Sequence, residues 1–402
     1  MSEQTVSPPP TLPLFPFATP PSSDDEPEVA RLRNEEPVAK VRLASGHEAW
    51  AISRYADCRM VMSDSRFSRA LTARPGAPSL TPAIQSPTML TSMDPPAQSR
   101  IRSLINKAFT YRAIERARPR ISEIVDGLLD GMAERDPPVD LVPSLAEPLP
   151  RTVICELLGM PPAAERKPLD RFMEYFGPDT ESPPEDVMTG AMGFLAQMIE
   201  VKRRQPADDL LSALVGAHEG GDRLTQDELL MTTLLLFAAG QDTTRNQLCN
   251  SLVTLFRHPD QLQLLRAKPA LVPAAIEELL RYTRITQAGL VRIATADVVI
   301  AGVTVRAGDA VVPLHYSANR DAAVFDRPDE LDIARADVGA HIAFGHGTHF
   351  CVGSALARLE LQVAMGRLLA RFPTLAPAVP LEELTWAPGQ VLRTLTALPV
   401  TW

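Results

Sequence analysis

The chain has 402 residues, of which 45% are hydrophobic and 22% charged. It can bury a large core, and neither a disordered nor a collagen-like protein has this composition. With 49 acidic against 40 basic residues the formal charge is −9, which argues against a general nucleic-acid binder.

Eight prolines (Pro8, Pro9, Pro10, Pro13, Pro16, Pro20, Pro21 and Pro27) fall within residues 1–30. Each has a fixed φ and no backbone donor, so the stretch is expected to be an extended arm on the surface. No basic segment followed by an apolar one opens the chain, and a secretory leader is not expected. Asp94-Pro95-Pro96 reads as a helix start, a capping carboxylate followed by proline in the first turn. Ile101, Leu104, Ile105, Ala108 and Phe109 then share one face. Amphipathic helices follow through Ile121–Met132 and through Val153–Leu158, and 159–186 is broken by prolines into short helices and loops. Thr225 and Glu228 form a capping box. No proline recurs before Pro259, so the helix they open can run about 30 residues, or ~45 Å. A helix from about Pro273 to Tyr282 precedes strand-like runs at Leu290–Ile293, Val298–Ile300, Val303–Val305 and Ala310–Pro313. Ala301-Gly302 and Ala307-Gly308 supply turns between them. A last helix starts near Val352 and ends before Pro373. The expected fold is mainly α, with a small β region inserted late.

No apolar run approaches the ~20 residues that cross a bilayer. The longest, Leu229 to Ala239, runs directly into Gly240, Gln241, Asp242 and Arg245. The four cysteines, at 58, 155, 249 and 351, show no CxxC or CxxCH spacing, which excludes c-type haem attachment and a zinc ribbon and suggests a reducing compartment. A cytoplasmic protein without membrane contact is expected.

The densest chemistry lies at Phe344-Gly345-His346-Gly347-Thr348-His349-Phe350-Cys351-Val352-Gly353. Three glycines allow tight turns and close approach to a flat partner. Cys351 stands where a helix starts, and there the dipole and free N–H groups favour a thiolate. On the residues alone three readings stand: an inert cysteine on a glycine loop, a sulfur ligand to haem iron, or a zinc site from His341, His346, His349 and Cys351. In the long helix, Ala239-Gly240-Gln241-Asp242-Thr243-Thr244 places a helix-weakening glycine before an acid and a hydroxyl. It reads as a local opening that seats a small molecule beside Asp242 and Thr243.

The decapeptide resembles the cysteine-loop signature of the cytochrome P450 superfamily, Phe-Gly-x-Gly-x-[His/Arg]-x-Cys-x-Gly, and every fixed position matches. The resemblance extends from about residue 50 to the C-terminus. It implies one haem domain over 31–402 behind the arm of 1–30, with the cytochrome P450 fold: haem b (iron protoporphyrin IX) between the long central helix and the cysteine-loop helix. Cys351 is then the axial thiolate, with Phe344, Gly345 and Gly353 shaping its loop, and His349 meets a propionate. Asp242 and Thr243 match the acid–alcohol pair that organises proton delivery. Glu278-Leu279-Leu280-Arg281 matches the Glu-x-x-Arg pair, which with Arg335 forms a buried structural network. Arg292 and Arg102 match propionate-binding arginines. Where the bacterial pattern has a histidine this chain has Gln98, which can donate a hydrogen bond but carries no charge.

The implied activity is a monooxygenase that uses two electrons and two protons to split dioxygen and hydroxylate or epoxidise an apolar, medium-sized natural product in bacterial secondary metabolism, with antibiotic biosynthesis the expected setting. Oxidative ring coupling and C–N bond formation are alternatives, and a non-catalytic haem sensor is a third. Electrons are expected from a ferredoxin or flavodoxin-type donor with its reductase, docking on a basic patch for which Arg100, Lys107, Arg112 and Arg358 are candidates. A monomer is expected. The substrate pocket is expected to be lined by the loop from about Leu80 to Thr91, by Phe237, Ala238 and Thr243, by Gln287, Gly289, Leu290 and Val291, and by the turn at Gln390 to Leu392.

Overall fold

The computed structural model describes residues 12–17, 27–80, 86–175, 184–219, 224–286, 289–387 and 392–402. Eleven strands lie among them: β1 (Leu14–Phe15), β2 (Val38–Leu43), β3 (Glu48–Ile52), β4 (Phe67–Ser68), β5 (Val139–Asp140), β6 (Arg292–Ala294), β7 (Val298–Ile300), β8 (Val303–Val305), β9 (Ala310–Pro313), β10 (Ala376–Pro377) and β11 (Pro399–Thr401). The helices of the first half are α1 (Pro27–Glu35), α2 (Tyr55–Ser63), α3 (Ala97–Ala108), α4 (Tyr111–Glu115), α5 (Arg118–Ala133), α6 (Pro148–Leu158), α7 (Lys167–Glu174) and α8 (Glu185–Arg204). Those of the second half are α9 (Leu210–Glu219), α10 (Gln226–Arg257), α11 (Pro259–Ala267), α12 (Val272–Tyr282), α13 (His315–Ala318) and α14 (Ser354–Arg371). Among the described residues no helix is long and apolar enough to cross a membrane.

The main sheet runs β1-β2-β3-β9-β6-β4, so half its strands come from the first 52 residues and not from the late insertion expected. β2 and β3 form an antiparallel hairpin, and β3 then pairs in parallel with β9, Trp50 opposite Val311. The alternation in Val38–Leu43 is short, and the flanking charges obscure its period in the sequence. The surface arm is also corrected. Leu14–Phe15 pairs with β2, and Phe15 is fully buried in the core beneath that sheet. The helix α1 starts at Pro27, inside the stretch expected to be extended.

The central helix α10 is 32 residues long and starts on the expected capping box. Thr225 Oγ1 accepts from the Glu228 N–H at 3.1 Å, and Glu228 Oε2 accepts from the Thr225 N–H at 2.8 Å. The helix is continuous through Gly240, so the local opening expected there does not exist. Packing explains the glycine instead: a Cβ at residue 240 would lie 3.1 Å from Ile154 Cγ1 of α6. Asp94 does not cap α3 either. Pro96 is the cap residue, and the Asp94 carboxylate accepts from Ser68 Oγ, from the Arg69 N–H at 2.7 Å and from the Ala70 N–H at 3.3 Å.

A buried ionic network ties α12 to the loop that leads toward Cys351. Glu278 is fully buried and accepts from Arg281 Nε at 2.7 Å and Nη2 at 2.8 Å, from Arg335 Nε at 3.1 Å and from the Asp332 N–H at 3.0 Å. Arg281 and Arg335 spend their other donors on the carbonyls of Asn319, Pro328, Glu330, Asp326 and Arg327. A charge buried this completely is tolerable only when all its donors and acceptors are occupied.

Candidate active site

A cavity of about 370 Å³ lies between α10 and the Cys351 loop. The loop is shaped by two left-handed glycines, Gly345 at φ 76° and Gly347 at φ 72°. A Cβ on Gly347 would fall on the Met62 carbonyl oxygen at the end of α2, so only glycine lets the loop sit against that helix. The Cys351 N–H donates to the Phe344 carbonyl at 2.9 Å and the Phe350 N–H to Gly347 at 3.0 Å. These bonds close the loop and aim the sulfur into the cavity, whose walls include Phe344, Gly345 and Gly353.

Burial pushes the Cys351 thiol up, and the Gly353 N–H, Arg102 and Arg358 offset only part of that. The helix start therefore does not by itself yield the expected thiolate, which requires a positive partner at the sulfur. Cys58, Cys155 and Cys249 are buried free thiols, all raised by burial, Cys249 to about 12. Among the described residues no group of three His, Cys, Asp or Glu side chains could hold a metal ion. The zinc reading fails because His341 turns to Glu277, 2.9 Å away.

One end of the cavity is cationic. Arg102, Arg292 and His349 line it. Burial pushes Arg292 down to about 10 and His349 to about 4, with Arg292, Arg69 and Arg102 adding repulsion at the imidazole. Asp94, a carboxylate whose charge reaches Arg292 and His349, is already bonded to β4 and the turn after it. The set fits a ligand with anionic arms. Gln98 lines the cavity beside these cations, and its Nε2 donates to the Thr348 carbonyl at 2.7 Å. It clips α3 to the cysteine loop, a role an uncharged amide fills well. The residues present thus fit an iron porphyrin: a thiol aimed at its centre, glycines that let a flat ring approach, and cations at one edge.

On α10 the cavity wall is made by two neighbouring i, i+4 rows, Leu235–Ala239–Thr243 and Leu236–Gly240–Thr244, and by Gln247. Phe237 and Ala238 were expected there, but they are fully buried on another face of the helix, because each residue turns 100° from the last. Thr243 Oγ1 donates to the Ala239 carbonyl at 2.9 Å. Asp242 stands off the wall. Burial raises its carboxyl, and Arg245 and Arg151 hold the rise in check. Gly289, Leu290 and Leu392 line the cavity as expected, as do Leu90 and Thr91. Val291 does not: at strand period it points away, into the core under the sheet. Gln287 and Gln390 lie outside the described residues.

Among the wall residues that were not anticipated are His315 and Glu360. Burial and Arg292 push His315 down to about 4, and burial alone raises Glu360 far above the usual carboxylate range. Two of the four candidate docking cations are already paired. Arg100 bonds Glu228 at 2.5 Å and Arg358 bonds Glu277 at 2.7 Å, while Lys107 and Arg112 are exposed.

The sequence matches the family model for cytochrome P450 over residues 168–394. Nocardicin C N-oxygenase of Nocardia uniformis subsp. tsuyamanensis is 45% identical over 392 residues, 96% of this chain and 98% of the relative. Cytochrome P450 monooxygenase PikC of Streptomyces venezuelae is 42% identical over 403 residues, 99% of this chain and 96% of the relative. Among solved structures, HinD with NMFT and NO superposes with a TM-score of 0.91 at 41% identity, over 98% of this chain and 100% of that one.

Proposed function

The chain belongs to the cytochrome P450 family, and on that premise we propose that it is a haem b enzyme that places one oxygen atom from dioxygen on a medium-sized, mostly apolar natural product, with Cys351 as the iron ligand. It is a cytochrome P450 monooxygenase of the kind found in bacterial secondary metabolism, and a haem-iron enzyme. The observation that carries the reading is the cavity itself, with the Cys351 sulfur on one side, Thr243 on the other and Arg102, Arg292 and His349 at one end. The described residues, including the strand Leu14–Phe15 and the helix from Pro27, serve as one haem domain.

Haem b, when bound, supplies reductive activation of dioxygen and the transfer of one oxygen atom, the second leaving as water. Arg102, Arg292 and His349 would hold its propionates, and Gln98 acts through the loop carbonyl of Thr348. Leu235 and Ala239 keep water from the wall of α10. Thr243 Oγ1, now donating to the Ala239 carbonyl, turns to hold a proton at the cavity face. Asp242, behind it and raised by burial, takes up protons from the Arg151 side and passes them toward Thr243.

Leu290, Gly289, Leu392 and Leu90 orient the substrate. The wall is mainly apolar with few polar groups, which suits a compound of that character. The electron donor, a ferredoxin or flavodoxin-type protein with its reductase, docks on the cysteine-loop side, with Lys107 and Arg112 as the exposed cations.

Two measurements test this. Reduced protein given carbon monoxide must show the red-shifted Soret band of thiolate-bound haem, and its absence refutes Cys351 as ligand. T243A should retain the substrate-induced Soret shift yet lose product by on the order of 10²-fold, with oxygen diverted to peroxide. Full coupling in T243A would refute the relay.

A further inference from the structure

Two adjacent glutamates on α12 point into two different networks. Glu278 enters the buried structural network. Glu277, about 100° further round the helix, reaches the cysteine loop, and nothing in the mechanism above uses it. Its Oε1 accepts from Arg358 Nε at 2.7 Å and its Oε2 from Arg358 Nη2 at 2.9 Å, a bidentate pair. The same Oε2 lies 2.9 Å from His341 Nε2. His341 Nδ1 accepts from the Ala343 N–H at 3.2 Å, which leaves Nε2 as the donor facing Glu277. The Arg358 guanidinium sits 4.5 Å from the centre of the Phe344 ring, and the Phe344 carbonyl receives the Cys351 N–H.

We propose that Glu277 and Arg358, with His341, form a charge-balanced clamp that fixes Phe344 and sets the electrostatic field at the Cys351 sulfur. Both are positioning residues for the iron ligand. The proposal rests on Cys351 being that ligand.

The clamp joins α12, the cysteine loop and α14, and its Glu277–Arg358 pair carries one negative and one positive charge. Burial alone would raise Glu277, but His341 and Arg358 outweigh it and hold the carboxyl at about 2, so its charge is present at any working pH. The Arg358 charge acts on the Cys351 thiol, and the Glu277 carboxylate bonded to that guanidinium opposes it. Removing either charge therefore unbalances the field in opposite senses. Without Glu277 the unopposed guanidinium favours an added electron at the iron. Without Arg358 the unopposed carboxylate disfavours it.

The test uses the holoenzyme in five forms: wild type, E277Q, R358M, the double variant E277Q/R358M, and R358K. Haem content, the carbon monoxide Soret band and the midpoint potential against redox dyes are measured for each. E277Q should shift the reduction equilibrium by about threefold or more toward the ferrous form, and R358M by a similar factor the other way, as expected for a partly screened unit charge. The double variant should return close to wild type, and R358K should stay near it. A purely structural clamp would lower haem content or the thiolate band in every variant, worst in the double, with no opposed shifts, and that result overturns the proposal. E277Q holding haem at an unchanged potential overturns it equally. A wild type without the thiolate band shows instead that the Cys351 assignment has failed, and the clamp falls with it.

Discussion

Glu278→Gln is nearly isosteric and removes one charge from a network with no access to water. Glu278 and Arg281 side chains are 0% exposed and Arg335 is 5% exposed. The amide can accept at one oxygen, but its NH₂ group then faces guanidinium donors, and two buried cations lose their counter-charge. Breaking a buried pair by removing one partner costs about 3–5 kcal/mol. At roughly 2.1 cal/mol/K per residue, 402 residues unfold with about 0.8 kcal/mol/K. The expected fall in Tm is therefore ~4–6 °C. The assay is thermal unfolding of the haem-loaded protein followed by circular dichroism and by the Soret band. Because the network anchors the approach to the cysteine loop, the Soret signal should be lost at or below the temperature of the helical transition. As a control, D126N breaks an exposed pair with Arg367 and should move Tm by less than about 1 °C, since such pairs contribute ~0–1 kcal/mol. If E278Q falls no further than D126N, the network is not desolvated and the reasoning fails.

G240V should destabilise by about 1–3 kcal/mol through overpacking against Ile154. I154A should relieve most of that in the double variant, and additive losses in a denaturation cycle would show that the two helices do not meet there. The His315 imidazole is held near 4 against a usual value of 6.5. A base depressed by folding contributes stability that is complete above about 6.5 and is lost as pH falls toward 4. H315Q should accordingly flatten the dependence of Tm on pH across that window, and an unchanged slope would place the imidazole in water.

The site was legible in the sequence wherever chemistry imposes a spacing. The loop Phe344–Gly353 needs glycine at two left-handed positions and a cysteine at the helix start, so its pattern survives in one dimension. Glu278 and Arg281 share a helix face at i, i+3, and the structure puts them in contact as that spacing requires. The capping box at Thr225 is equally local, and so is the turn at Ala301-Gly302, both residues of which have positive φ.

Tertiary structure decided which face of each element meets the cavity. Phe237 and Ala238 stand in the most apolar part of α10, but apolarity does not distinguish a cavity wall from a core, and the core took them. Glu360 looks like one more solvated residue of α14 until the packed chain buries it. Gly240 carried a true signal, close approach: a Cβ there would meet Ile154, and both residues also line the cavity. Arg100 and Arg358 are basic in any reading, but whether they are free to dock a partner depends on Glu228 and Glu277, 128 and 81 residues away along the chain. A sequence determines what each residue can do and what its near neighbours along the chain allow. Pairing, burial and the resulting shifts in charge depend on residues distant in sequence, and only the packed chain brings those together.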